Sequence, residues 1–122
     1  MKRIIFISLI SLILTSCEKD MKLLDEIYNE PGYAIGKITR STSIFSMLTY
    51  YYEFKIGFAT YKGEKKDGIS TSSNSHLIGR QYLVVYKIGE PGKSDLNFRY
   101  PINSEQEFLD LVEGFKDNPP KY

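Results

Sequence analysis

Between Thr49 and Ile56 every second residue is large and apolar, Tyr50, Tyr52, Phe54 and Ile56, with Tyr51, Glu53 and Lys55 between them. A period of two is that of a strand with one buried face, and a helix cannot satisfy it. Gly57-Phe58 follow directly. They suit a two-residue type II′ turn, which wants glycine at its first central position. In that register Ile56 opposes Ala59, Phe54 opposes Tyr61 and Glu53 opposes Lys62, so an aromatic pair and an opposite-charge pair emerge from one turn. Phe58 then projects from the turn tip. The chain's 10 tyrosines and 7 phenylalanines, with no tryptophan, fit the same picture, because tyrosine suits a half-buried sheet surface with its ring inward and its hydroxyl in water.

The other segments build around this hairpin. Met21, Leu24, Ile27 and Tyr28 have helical spacing and predict a short amphipathic helix that Pro31-Gly32 stops. Tyr33–Arg40 reads as a strand, with Ala34, Gly36 and Ile38 on one face and Tyr33, Ile35 and Lys37 on the other. Ile44–Leu48 is an apolar island, either a bent loop or the start of the next strand. Residues 63–75 are polar, small and poor in core formers, the composition of a long mobile loop. Tyr82–Ile88 is apolar on nearly both faces, which predicts the central strand. Glu90-Pro91-Gly92-Lys93 reads as a turn, and Leu96, Phe98 and Tyr100 as one face of a short final strand. Ser104-Glu105-Gln106-Glu107 is a capping box. It opens a helix over 104–116 whose stripe of Phe108, Leu111, Val112 and Phe115 must rest on the sheet. The expected fold class is α+β, mainly β: a small twisted antiparallel sheet or partly open barrel with a C-terminal helix packed on it.

The first residues carry a different message. Met1-Lys2-Arg3 precede an apolar run from Ile4 to Leu14, which is the layout of a secretory signal peptide. The run is shorter than the roughly 20 apolar residues that a permanent helical span takes. Leu14-Thr15-Ser16-Cys17 resembles the lipobox of bacterial lipoproteins: an aliphatic residue, two small residues, then the cysteine that becomes the mature N-terminus. The resemblance implies lipid, palmitate included, on Cys17, and attachment to a membrane through it. The expected organisation is therefore a signal peptide over 1–16, an acylated tether over 17–32 and one β-rich domain over 33–122. Glu18 is not the aspartate linked to inner-membrane retention in Gram-negative cells, so the resemblance favours the outer membrane, with the domain facing the periplasm or the cell surface.

Composition narrows the rest. Cleavage before Cys17 leaves 106 of the 122 residues, enough for one small domain. Losing Lys2 and Arg3 leaves 14 basic against 15 acidic residues, a formal charge near −1. That is no electrostatic footprint for a nucleic acid. Cys17 is the only cysteine, so no disulfide forms within the chain. His76 is the only histidine and lies in the serine-rich segment without a nucleophile elbow, so no catalytic residue is assigned. No carboxylates show a metal-binding cadence. Glu105, Glu107 and Asp110 are charges that a helix N-terminus favours. No metal, cofactor or enzymatic activity is expected.

The mature part also resembles a small bacterial β-domain family without assigned chemistry. The matching positions are Tyr52, Phe54, Ile56, the Gly57-Phe58 turn, Tyr61, Gly63, the polar segment over 65–75, Gly79, Tyr82, Val84, Tyr86, Pro91 and Ser94. That family usually has asparagine-glycine at the turn, where this chain has Gly57-Phe58. The resemblance implies a small β fold and brings no ligand. Tyr51, Phe58 and His76 stand as candidate binding residues. Tyr51 lies opposite Tyr50 and Tyr52, either under the helix and loop or as part of an exposed platform for a glycan, a peptide or a subunit. The functional expectation is a lipid-anchored, non-enzymatic envelope module with an undefined protein or glycan partner. The alternative is an immunity-type lipoprotein that meets a toxin or lytic enzyme through the 63–75 loop.

Overall fold

The computed structural model describes residues 21–45, 47–69 and 77–122. Helix α1 covers residues 21–29. Strands β1 (Pro31–Ile44), β2 (Met47–Ile56), β3 (Ala59–Ile69), β4 (Gln81–Lys87) and β5 (Glu90–Pro101) follow, then helix α2 (Glu105–Gly114). The five strands form one antiparallel sheet in the order β3-β2-β1-β4-β5. It curls into a half-barrel with both helices packed on it. Tyr52 of β2 and Lys65 of β3 reach Ser94 and Asp95 of β5.

Alternation sorts the core into two layers. Inside the curl lie Ala34, Ile38, Leu48, Tyr50, Tyr52, Phe54, Tyr82, Val84 and Leu96. On the outer face Leu83 and Val85 of β4 meet Ile27 of α1, Ile102 and Phe115. The Phe115 ring lies 5.0 Å from that of Tyr33 and 5.3 Å from that of Tyr100. The capping box forms: Glu107 N–H donates to Ser104 Oγ at 3.1 Å, and Asn103 N–H donates to Glu107 Oε2 at 3.0 Å. Both faces of β1 follow their expected assignment.

Glycines opposite tyrosines allow the tight curl. Gly63 pairs with Tyr52 and Gly32 with Tyr86, and a Cβ on either glycine would fall 2.4 or 2.3 Å from the partner's ring. The rings lie over the bare backbone where an ordinary side chain would hold them off.

Four expectations are corrected. β4 is buried on both faces yet is not central: β1 holds the middle, and β4 lies between it and β5. Residues 63–69 are not loop but the second half of β3, because Gly63, Glu64, Lys65 and Lys66 continue the ladder opposite Tyr52, Tyr51, Tyr50 and Thr49. The turn expected at Glu90–Lys93 lies earlier, at Ile88-Gly89, where Gly89 takes a φ of 86°; Glu90 already pairs with Lys87. Tyr100 does not share a face with Leu96 and Phe98. A register shift between Tyr82 and Leu83 turns it to the α2 side, as bulged strands do. The apolar island at Ile44–Leu48 resolves as a tight hairpin end, with Ile44 paired to Met47.

Candidate functional site

The half-barrel leaves a seam between its edge strands β3 and β5, and α1 lies along it. Leu23, Leu24 and Ile27 share a cavity of about 550 Å³ there with Tyr52, Lys65 and Asp95. Among the described residues, Asp95 and Asn97 are the buried polar side chains of the sheet. Strand alternation alone would put both in water. Tyr28 of α1 covers them instead: its hydroxyl donates to Asp95 Oδ2 at 2.6 Å and accepts from Asn97 Nδ2 at 3.0 Å. Lys65 Nζ donates to Asp95 Oδ1 at 2.6 Å. Asn97 also donates to the Lys121 carbonyl at 2.9 Å, bringing in the C-terminal tail.

Burial, then the Asp95 hydrogen bond, holds the Tyr28 hydroxyl far above the ordinary tyrosine range. Burial likewise raises that of Tyr52, which shares a 2.8 Å hydrogen bond with Ser94. Both hydroxyls stay protonated. Beside them Glu26 of α1 meets Lys87 and also Lys93, at 3.0 Å, and both lysines meet Glu90. Hydrogen bonds from Lys87 and then Lys93 lower the Glu26 carboxyl below its usual range. No buried side-chain nitrogen or oxygen among the described residues lacks a partner. The junction is thus a saturated lock that holds α1 on the seam, and a saturated carboxylate is poorly placed to act as a base.

Of the candidate binding residues, Tyr51 and Phe58 lie on different parts of the β2–β3 hairpin. Tyr51 faces outward, half-buried, with the Arg40 guanidinium 4.1 Å above its ring centroid. A bulge at Thr39, whose hydroxyl donates to the Tyr51 carbonyl, sets that pair side by side. Phe58 is fully exposed at the β2–β3 turn. Cys17 and His76 lie outside the described residues. A groove of about 440 Å³ runs between α2 and the outer face of β1 and β2, floored by Tyr33, Ile35 and Phe108 and rimmed by Lys37, Glu53 and Lys55.

Sequence reasoning missed Tyr28, Lys65, Asp95 and Asn97, because their association is purely tertiary. It also passed over Phe45, which is 97% exposed at φ 51° between Ile44 and Met47, 62% and 48% exposed. A signal was available there: Ser41–Thr49 is nine residues without a charge in a chain one quarter charged.

Among the described residues no group of histidine, cysteine, aspartate and glutamate is arranged to hold a metal ion, and no helix is long and apolar enough to cross a membrane. No known protein family, curated protein or solved structure matches this chain. The fold and the junction therefore stand by themselves as a curled five-stranded half-barrel sealed by a helix.

Proposed function

We propose that this chain is a lipid-anchored, non-enzymatic cell-envelope protein, tethered through Cys17 to the outer membrane, whose β domain binds or supports a partner at the membrane surface. The observation that carries the reading is Leu14-Thr15-Ser16-Cys17 directly behind a basic start and an apolar run. Two acyl chains or more hold a protein durably where one holds it only marginally. The saturation of Asp95, Lys65, Tyr28 and Asn97 supports a structural role for the domain's most buried polar groups. In the immunity-type alternative, residues 63–69 of the contact segment belong to β3, and 70–75 lie outside the described residues.

The test is intact mass and membrane partitioning of the full chain beside Cys17→Ala, with protease added to whole cells. The expected result is a wild-type protein cut before Cys17, acylated and membrane-bound, and a variant that is none of these. Protease access then separates the cell surface from the periplasm. An unmodified, freely soluble wild type refutes the anchor and the localisation together.

A further inference from the structure

We infer that the β1–β2 hairpin tip, Ile44, Phe45 and Met47, inserts into the apolar edge of the bilayer that the Cys17 lipid holds next to it; this rests on the lipid-anchored reading.

Three observations point to a bilayer as the occupant. Phe45 combines exposure with a left-handed backbone, φ 51°, that a bulky residue rarely adopts. A two-residue hairpin turn demands that conformation, and here it falls on an exposed phenylalanine where glycine or asparagine is the ordinary choice. Next, the tip is apolar and lies on a segment without charge. No charge occurs from Ser41 to Thr49, and the β1–β2 ladder runs unbroken from Ser41↔Tyr50 to Ile44↔Met47, while the other edge of β1 has no strand paired with it there, so contact with hydrocarbon is confined to the tip residues themselves. Unpaired backbone groups are what bar most loops from hydrocarbon.

The anchor, finally, is at hand. Leu23 and Leu24, near the start of α1, share a cavity with Lys65 and Lys66. Lys66 pairs with Thr49, two residues from Met47, a rise of about 7 Å along a strand. Cys17 precedes Met21 by four residues, which span at most about 14 Å. The start of α1, with the exposed Met21, therefore lies towards the same end of the sheet as the tip, and a lipid on Cys17 is within reach of it. The tip itself, from Ile44 to Met47, carries no charge. Insertion is accordingly driven by apolar contact and is indifferent to lipid charge.

The chain has no tryptophan, so one substitution gives a clean optical probe. Full-length F45W and F58W are expressed, purified, weighed and placed in phosphatidylcholine vesicles with or without phosphatidylglycerol. F45W emission is expected to shift to the blue and to be quenched by bromine on the acyl chains, equally in both lipids. F58W, at the other end of β2, is expected to stay water-exposed and unquenched. An acylated F45W that is not quenched overturns the tip insertion and leaves the anchor standing. An unacylated F45W that is quenched overturns the anchor and leaves the insertion standing. F45W in the Cys17→Ala background that shifts to the blue with protein concentration alone assigns the tip to a second copy of the chain, and overturns the bilayer as occupant.

Discussion

The two hairpins that share β2 both end in an exposed phenylalanine, and they reach it differently. At the β2–β3 turn Gly57 takes the positive φ, 62°, and Phe58 projects without backbone strain. At the β1–β2 turn Phe45 itself sits at φ 51°. Glycine occupies that conformation freely, while an L side chain pays about 1–2 kcal/mol for it. Exposure of one large apolar side chain is ordinary on a protein surface. Exposure together with strain, on a segment free of charge, is not, and that separates a turn that merely closes a hairpin from one that presents something. The hairpins differ in their bodies too: β2–β3 is sewn to β5 by Tyr52, Lys65 and a glycine under a ring, while beyond Lys37 β1 has only β2 in register beside it.

The sharpest way to break the comparison is Gly63→Val. Its Cβ would meet the Tyr52 ring at 2.4 Å, and moving that buried ring strips the hydrogen bond to Ser94. A loss of about 3 kcal/mol is expected in urea unfolding. Next comes Lys65→Met, which leaves the Asp95 carboxylate, in a residue 6% exposed, without its cation. About 2 kcal/mol is expected to go. Adding Asp95→Asn to that variant recovers part of it, so a double-mutant cycle checks the pairing.

The turns themselves give smaller effects of opposite sign. Gly57→Ala puts a Cβ into a left-handed conformation and costs about 1 kcal/mol. Phe45→Asn, which tolerates that conformation, raises stability by about 0.5 kcal/mol. Paired thermal melts of the two variants test the contrast, and equal shifts of the same sign would erase it. The smallest effect concerns the lock on α1. Glu26 and Glu90 are both held below the usual carboxylate value of 4.5 by Lys87 and Lys93. The folded pKa being the depressed one, their contribution is present above pH 4.5 and is lost as the pH falls towards the lowered values. Amide protection over 21–29, taken relative to the intrinsic exchange rate at each pH, is expected to fall below pH 4.5 in wild type, and Glu26→Gln removes that step.

What a local pattern can specify, the residues specify without help. The β2–β3 register is legible because Gly57, the alternation and the Glu53–Lys62 pair all act within a dozen residues. The capping box at Ser104 and Glu107, the stripe ending in Phe115 and the two faces of β1 are equally local. The 63–69 segment misled because a polar edge strand looks like a loop; what makes it a strand is Tyr52 lying over Gly63 and Lys65 meeting Asp95 across the curl. Sheet order, the turning of Tyr100 towards α2 and the burial of Asp95 and Asn97 under Tyr28 likewise needed the tertiary structure, because each depends on which distant segment arrives to cover a side chain. A periodic pattern states that one face of a strand will be buried. Only the folded chain decides what covers the other.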